Sequence, residues 1–324
     1  MKIAIVRLTS LGDIIFCMAA LQLIKRRLPE SSITWFADRK FADILDYNPD
    51  LAGIVKIDLK GLKKDSSTRK LRDEYRRISL AGKFDLVIDL HGMVKSAFVA
   101  RMIGRKTVGF HRSMIKEPLA ALFYQRTLVV PGDAMPAYRY AQLAMAALGF
   151  SCEEEELKTK QPFLFYRDED GAMTRDLFRP GGKNVIFVPG TSAAEKNYPW
   201  EKYVAIAEGL RQNVLVCHGS DQEYAVACAI AERSSSVSLL PRLNLNQLKA
   251  AISRADLVIG GDTGPTHIAW ANNVPSITLF GPTPPCTYVT KVNRIITAPV
   301  AQGVLSIRNI EVNTILTLAE ELLQ

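Results

Sequence analysis

Ile259-Gly-Gly-Asp-Thr-Gly-Pro-Thr-His267 is the stretch whose reading decides the fold. The strand-like run Ala255–Ile259 stops at Gly260-Gly261, and Asp262, Thr263 and Gly264 follow before a helix-like segment. A strand that ends in glycines and passes into a helix is built to hold an anion. The first backbone N–H groups of a helix have no partner inside it and lie at the positive end of its dipole. Gly264 lets a phosphate approach the backbone closely. The charge of Asp262 rules it out as a phosphate ligand and suits it to sugar hydroxyls, while His267 lies one turn into the helix. An ordinary strand-to-helix turn with an Asp or Thr cap would use the same residues.

A matching turn lies near the other end of the chain. Lys2–Leu8 reads as a buried strand, Thr9-Ser10-Leu11-Gly12-Asp13 follows, and the largely apolar run Ile14–Leu28 has the length of a helix. Gly12 permits a tight turn. Asp13 stands at the mouth of the first helix, where a carboxylate either simply favours the helix N-terminus or acts as a general base at the carboxyl end of a parallel strand. One such turn in each half predicts two sheets facing one cleft.

A third turn follows Val185–Val188 as Pro189-Gly190-Thr191-Ser192, and Lys196 comes shortly after. Thr191 and Ser192 offer hydroxyl and backbone donors, and Lys196 could neutralise a diphosphate leaving group without a metal. A surface loop with a lysine in it is the plain alternative. Neither G-x-x-x-x-G-K-[ST] nor G-x-G-x-x-G occurs, so a P-loop ATPase and an ordinary dinucleotide enzyme are not supported.

At 324 residues, the chain has room for two domains, and its 48% hydrophobic and 23% charged composition is that of a soluble globular protein. No apolar run reaches the roughly 18 residues of a membrane span. Ile14–Ile24 is not read as a signal sequence because a complete strand precedes it and Asp13 opens it. The expected location is the cytoplasm. Five widely spaced cysteines read mostly as buried, reduced thiols, and four histidines without ligand spacing argue against a zinc site.

The net charge of +8 is concentrated: Lys56–Lys83 holds ten Lys/Arg against four acids. Such a run is either a solvated face or a docking surface for a polyanion. With Tyr75 as its one aromatic, it lacks the stacking platforms of a single-stranded nucleic-acid binder.

Strand-like and helix-like runs alternate throughout, which predicts parallel sheets covered by helices on both faces. Strands are expected at 2–8, 33–37, 53–57, 86–90, 107–109 and 127–130, then at 185–188, 214–217, 236–239, 257–259 and 276–280. Helices are expected at 13–28, 41–46, 70–79, 94–103 and 137–148, then at 200–211, 222–231, 246–253 and 265–271. The polar stretch 167–184 suits a linker between an N-terminal domain, 1–166, and a C-terminal one, 185–311. Residues 312–324 read as an amphipathic helix, with packing back across the hinge onto the N-terminal domain as one outcome.

Taken in order, several motifs resemble glycosyltransferase family nine, the ADP-heptose:lipopolysaccharide heptosyltransferases. They are Arg-Leu-Thr-Ser-Leu-Gly-Asp (7–13), Asp-Leu-His-Gly-Met-Val-Lys-Ser-Ala (89–97), Lys-Glu-Pro-Leu-Ala-Ala-Leu-Phe-Tyr (116–124), Gly-Thr-Ser…Lys (190–196), Gly-Asp-Thr-Gly-Pro-Thr-His (261–267) and Leu-Phe-Gly-Pro-Thr (279–283). The resemblance covers nearly the whole chain, and the Lys-Glu-Pro-Leu-Ala piece is most similar to the heptosyltransferase I branch.

The resemblance implies a GT-B fold of two Rossmann-like domains, with the donor nucleotide on the C-terminal one and the acceptor on the N-terminal one. It implies inverting transfer of heptose from ADP-heptose to Kdo of Kdo-lipid A, with no metal and no cofactor. Asp13 matches the catalytic base. Lys196, Thr191, Ser192, Thr263 and Gly264 match diphosphate contacts, and Asp262 the heptose-hydroxyl ligand. Glu223 fits the ribose contact, Leu243 the apolar lining of adenine, and His267 joins this donor set. Ser10, Gly12, His91, Lys95 and Lys116 fall on the acceptor side, with Lys60, Lys63 and Lys64 of the basic segment as phosphate-docking groups. Transient contact with the anionic inner face of the inner membrane is implied, and nucleic acid is not.

Two positions depart from the family. Position 7 is Arg where Lys is common, and position 91 is His where relatives carry Gln. Neither departure is expected to touch the base or the diphosphate set, but both could retune the acceptor. A heptosyltransferase II-type or other nucleotide-sugar transferase is the nearest alternative. A sugar-nucleotide epimerase would need more acid/base groups than Asp13 supplies, and a non-catalytic anion binder would rely on the basic segment.

Overall fold

The apolar runs form two six-stranded parallel sheets, one in each of two compact units, Met1–Phe163 and Leu164–Gln324. This computed structural model describes residues 1–64, 67–191, 193–301 and 303–324; the side chains of 62–64 and 194 also lie outside the description.

The first sheet contains β1 (Lys2–Val6), β2 (Ser32–Asp38), β3 (Gly53–Ile57), β4 (Leu86–Asp89), β5 (Thr107–Phe110) and β6 (Arg126–Leu128) in the order β3-β2-β1-β4-β5-β6. The second contains β7 (Asn184–Val188), β8 (Asn213–Val216), β9 (Val237–Leu239), β10 (Leu257–Gly261), β11 (Ser276–Phe280) and β12 (Asn293–Thr297) in the order β12-β11-β10-β7-β8-β9. Counted within its own unit, each sheet winds in the same doubly wound order, as the expected GT-B class requires. The central strands β4, β7, β10 and β11 are buried at every position. Strands covered on both faces carry continuous apolar runs, which is why these segments were readable.

The winding reverses between β1 and β4 and again between β7 and β10. Ligands of open α/β sheets bind beyond the carboxyl ends of strands at such points. Val6 pairs with Asp89 and Gly260 with Val188, so the two strands at each reversal finish close to level.

The helices are α1 (Leu11–Arg27), α2 (Leu59–Lys64), α3 (Thr68–Leu80), α4 (Val94–Ile103), α5 (Pro136–Ala147), α6 (Glu155–Lys158), α7 (Asp168–Arg175), α8 (Trp200–Leu210), α9 (Asp221–Ala231), α10 (Leu245–Arg254), α11 (Gly264–Ala271) and α12 (Val312–Leu323). Helix α1 buries Ile14 through Leu21 without interruption because α5 packs against it as well as the sheet. Its apolar run is therefore that of a helix covered on several sides. Lys25, Arg26 and Arg27 end it, where cations suit the negative end of the dipole.

Several expectations need correction. Residues 41–46 form only a 3-10 turn, Ala42–Leu45. Strand β12 went unread because Asn293-Arg-Ile-Ile-Thr297 is a half-buried edge strand with a short apolar run. The stretch taken for a linker, 167–184, contains α7, which packs on α10 with Gly171 and Thr174 buried. Its polar look comes from Asp168, Glu169 and Asp170 in the first helical turn, where acids favour the dipole. The division accordingly falls at Phe163/Leu164. Helix α12 packs on α8, and its Ile315 and Ala319 lie inside the second unit's own core.

Candidate active site

In the first unit the chain leaves β1 through Arg7, Leu8 and Thr9, and Ser10 caps α1. Asp13 sits at the third position of that helix, so its carboxylate reaches back to the cap. Its Oδ2 accepts from Ser10 Oγ at 2.8 Å and Ser10 N at 3.3 Å, and pairs with Arg7 Nη2 at 2.7 Å. Its Oδ1 accepts from the Tyr140 hydroxyl at 3.0 Å. Arg7 is buried, donates Nη1 to Leu90 O at 2.7 Å and lies over the Tyr140 ring. Burial works to raise the Asp13 pKa, but Arg7, Ser10 and Tyr140 outweigh it and hold the carboxylate below its ordinary range. The Asp13 side chain remains 34% exposed, enough to meet a substrate.

His91 adjoins this turn. Leu8 N donates to its Nδ1 at 3.4 Å, and Thr9 Oγ1 lies 3.5 Å from Nε2. Burial, with Arg7 and Lys95 as positive neighbours, pushes its pKa down to about 3, so the ring is neutral near pH 7. The loop carrying it is fixed by the buried Asp89, which accepts from His91 N, Gly92 N and the Tyr124 hydroxyl. Glu117 accepts from Val94 N at 2.7 Å at the start of α4, which ties the 116–124 motif to the 89–97 motif.

The expectation that positions 7 and 91 stand apart from the base is overturned. Arg7 bonds Asp13 directly, and His91 packs in the same turn. Ser10 and Gly12 flank Asp13 in chain and helix. Lys95 and Lys116 are exposed on α4 and on the turn packed against it. Lys60 is exposed on α2, beyond edge strand β3, which β2 separates from β1. The side chains of Lys63 and Lys64 lie outside the described residues.

In the second unit, Lys196 Nζ lies 2.7 Å from Asp262 Oδ2. Asp262 Oδ1 is 3.2 Å from His267 Nε2 and accepts from Cys286 Sγ at 3.0 Å. Burial opposes ionisation of Asp262, but His267, Lys196 and Cys286 together hold its pKa far below normal. Thr191 N donates to Asn197 Oδ1 at 3.0 Å, which fixes the turn after β7. A Cβ on Gly261 would come within 2.7 Å of Thr191 Cγ2, so the missing side chain lets the 190–196 turn close on the end of β10. Thr263 caps α11, and its N–H donates to Thr266 Oγ1 at 3.3 Å; Gly264 opens the helix.

Glu223, the third residue of α9, completes the capping box of Ser220, accepting from Gly219 N at 2.5 Å and Ser220 N at 3.1 Å. A Cβ on Gly190 would collide with its side chain, which puts Glu223 beside the same turn. Leu243 is half-buried in the loop between β9 and α10. Ser192 lies outside the described residues.

The structure thus groups Asp13, Ser10 and His91 in one unit, and Thr191, Lys196, Asp262, Thr263, His267 and Glu223 in the other. Sequence reading missed Tyr140 and Cys286, which come from α5 and a distant loop with no local signal. The ligand atoms of Asp262, His267 and Cys286 lie within 4.8 Å of one another, a grouping that could hold a divalent ion although the histidine spacing gave no hint of it. Lys196 already places a positive charge on Asp262 there.

A profile of glycosyltransferase family 9 (heptosyltransferase) matches residues 75–303. The chain belongs to glycosyltransferase family 9. This family 9 enzyme is 32% identical over 309 residues to lipopolysaccharide heptosyltransferase 1 of Campylobacter coli, with 91% of this chain and 89% of the relative covered. It is 30% identical over 292 residues to the Pseudomonas aeruginosa protein of the same name, covering 88% and 80%. In fold it is similar to E. coli heptosyltransferase WaaC with ADP, at TM-score 0.85 and 24% identity over 99% of this chain and 100% of that one.

Proposed function

We propose that this family 9 glycosyltransferase moves L-glycero-D-manno-heptose from ADP-heptose to Kdo of Kdo-lipid A with inversion. The observation that carries the reading is the carboxylate of Asp13, held at the end of β1 by Arg7, Ser10 and Tyr140. The names of the relatives, lipopolysaccharide heptosyltransferase 1, support the sugar and the pathway, and a fold neighbour solved with ADP supports the nucleotide.

Oδ2 of Asp13 is occupied by Arg7 and Ser10, which leaves Oδ1 as the better proton acceptor. The acceptor hydroxyl attacks the anomeric carbon as the bond to ADP breaks, and its proton passes to Oδ1. A weakly basic carboxylate suffices because the attacking oxygen becomes strongly acidic once its new bond forms. Charge grows on the departing diphosphate oxygen. Lys196 and the N-terminus of α11 neutralise it, which is the form of catalysis that fixed donors supply best. Asp262, kept ionised, accepts hydrogen bonds from heptose hydroxyls. Glu223 and Leu243 serve ribose and adenine.

Among the described residues no helix is long and apolar enough to cross a membrane. The proposed workplace is the anionic inner face of the inner membrane. Lys60, Arg69, Arg72, Arg76 and Lys83 of the basic segment are exposed, whereas Lys56 is held by Asp43 and Asp46. The test is donor hydrolysis and transfer with ADP-heptose against a panel of Kdo-containing acceptors. Transfer to Kdo is the expected result, and ADP-heptose turnover without any Kdo product would refute the acceptor.

A further inference from the structure

Helix α4 and the 3-10 segment Pro118–Phe123 pack on each other through Ala97, Ala120 and Tyr124. Their outward residues form two parallel stripes. On α4, Lys95 and Arg101 flank Phe98 at three-residue spacing, and all three are exposed. Lys116 stands in the turn just before the other segment, and on the segment itself Leu119 and Leu122 are three residues apart, which eclipse on a 3-10 helix. Phe98 is 54% exposed, Leu119 66% and Leu122 79%. Phe98 meets Phe123 edge-to-face at 6.5 Å, which holds it beside the second stripe.

Single exposed apolar side chains are ordinary, but three on two packed elements form a patch. The stretch of chain that carries it is strongly cationic. Residues 94–126 carry seven Lys/Arg and one acid, Glu117, whose carboxylate is turned inward onto Val94 N. Apolar tips ringed by long cationic side chains match the boundary of an anionic bilayer. The tips enter the acyl region while the cations stay at the phosphates.

We infer that Phe98, Leu119 and Leu122 form a shallow membrane-inserting wedge, held against an anionic lipid surface by Lys95, Arg101 and Lys116. This site is distinct from the basic run 56–83, which lies on other elements, α2 and α3, and has its own exposed side chains Leu71, Tyr75 and Leu80. The wedge follows the carboxyl ends of β4 and β5, in the unit that carries Asp13. Its use in catalysis rests on the lipid-acceptor reading, but the binding itself does not. An acceptor lipid anchored in the bilayer would then meet the enzyme at a fixed depth.

The test uses the full chain and sedimentation with vesicles of phosphatidylethanolamine and phosphatidylglycerol, with phosphatidylcholine vesicles as the neutral control. The double variant Leu119→Gln/Leu122→Gln should partition at least about tenfold less, since each leucine forfeits its apolar burial. Its thermal midpoint and its transfer to a delipidated, water-soluble Kdo acceptor should stay at wild-type values. Phe98→Gln should partition less as well. Leu122→Trp should show blue-shifted emission, quenched by brominated lipid, on the anionic vesicles. Undiminished partitioning of the double variant overturns the inference. So does wild-type protein that ignores the anionic vesicles, or self-association that the double variant abolishes. Loss of transfer to the soluble acceptor with partitioning intact would assign the patch to sugar binding instead and also overturn it. If no Kdo acceptor is used but partitioning falls as expected, the wedge stands and only the proposed reaction fails.

Discussion

Arg7 Nη2 and Asp13 Oδ2 lie 2.7 Å apart, with the arginine side chain only 7% exposed. The pair links the residue just after β1 to the first turn of α1, and Tyr140 closes it from α5. Two outcomes follow from the charge of Arg7. Asp13 stays ionised while the pH falls through the ordinary carboxylate range, and the stability it contributes is present above its unfolded pKa of about 3.9. That stability is lost only as pH falls towards the lowered folded value.

Arg7→Met should therefore reverse the sign. Without the guanidinium, burial dominates and the Asp13 pKa rises, so the acid limb of kcat/KM should move up by roughly one pH unit or more. Tyr140→Phe should move it the same way by less. A pH–rate profile superimposable on wild type would show that Arg7 does not set the carboxylate's charge.

His91 gives a second pH signature. Its folded pKa is depressed to about 3 against the unfolded value, so the neutral ring's contribution is full above about 6.5. That contribution is lost as pH falls between the two. His91→Gln should flatten the decline in thermal midpoint between pH 7 and pH 5, measured by unfolding at each pH. An unchanged slope would mean the ring is solvated.

Lys196→Ala removes the cation paired with Asp262. ADP binding should weaken and turnover should fall by about a hundredfold, because the lost charge acts where the leaving oxygen becomes anionic. Calorimetry with ADP and steady-state kinetics read the two effects. Wild-type rates in excess EDTA should equal those with added Mg²⁺. A metal requirement would instead favour the Asp262, His267 and Cys286 grouping as an ion site.

Charge reversal at Lys63, Lys64, Arg69 and Lys70 should raise the acceptor KM and leave that of ADP-heptose unchanged. The effect should shrink with added salt, since exposed charges are screened over about 8 Å at physiological ionic strength. Wild-type values for both constants would reduce the segment to a solvated face.

Eleven of the twelve strands in the two large sheets, and the three turns that follow β1, β7 and β10, were legible because buried parallel strands are continuously apolar and the turns are marked by Gly with Ser, Thr or Asp. Arg7 was visible, but its partner was misjudged because a residue read as part of the first strand looks structural until α1 folds back beside it. Tyr140 lies 127 residues from Asp13, and Cys286 lies 24 from Asp262, so no local pattern announces either contact. Helix α7 was hidden by its own acids, which belong to its first turn. The exposed wedge was not legible because Phe98, Leu119 and Leu122 read as core-type residues until their exposure is seen.

The central claim is that Asp13 takes the acceptor proton. Asp13→Ala is a compromised test because it strands the buried Arg7 cation, and breaking such a pair commonly costs about 3–5 kcal/mol when both partners are buried. Asp13→Asn keeps a side-chain oxygen for Ser10 and removes the charge. The decisive measurement is single-turnover transfer by Asp13→Asn, with ADP affinity and thermal midpoint recorded on the same sample. The account predicts transfer slower by about 10²–10⁴-fold with ADP affinity unchanged. Transfer above about a tenth of the wild-type rate would contradict it.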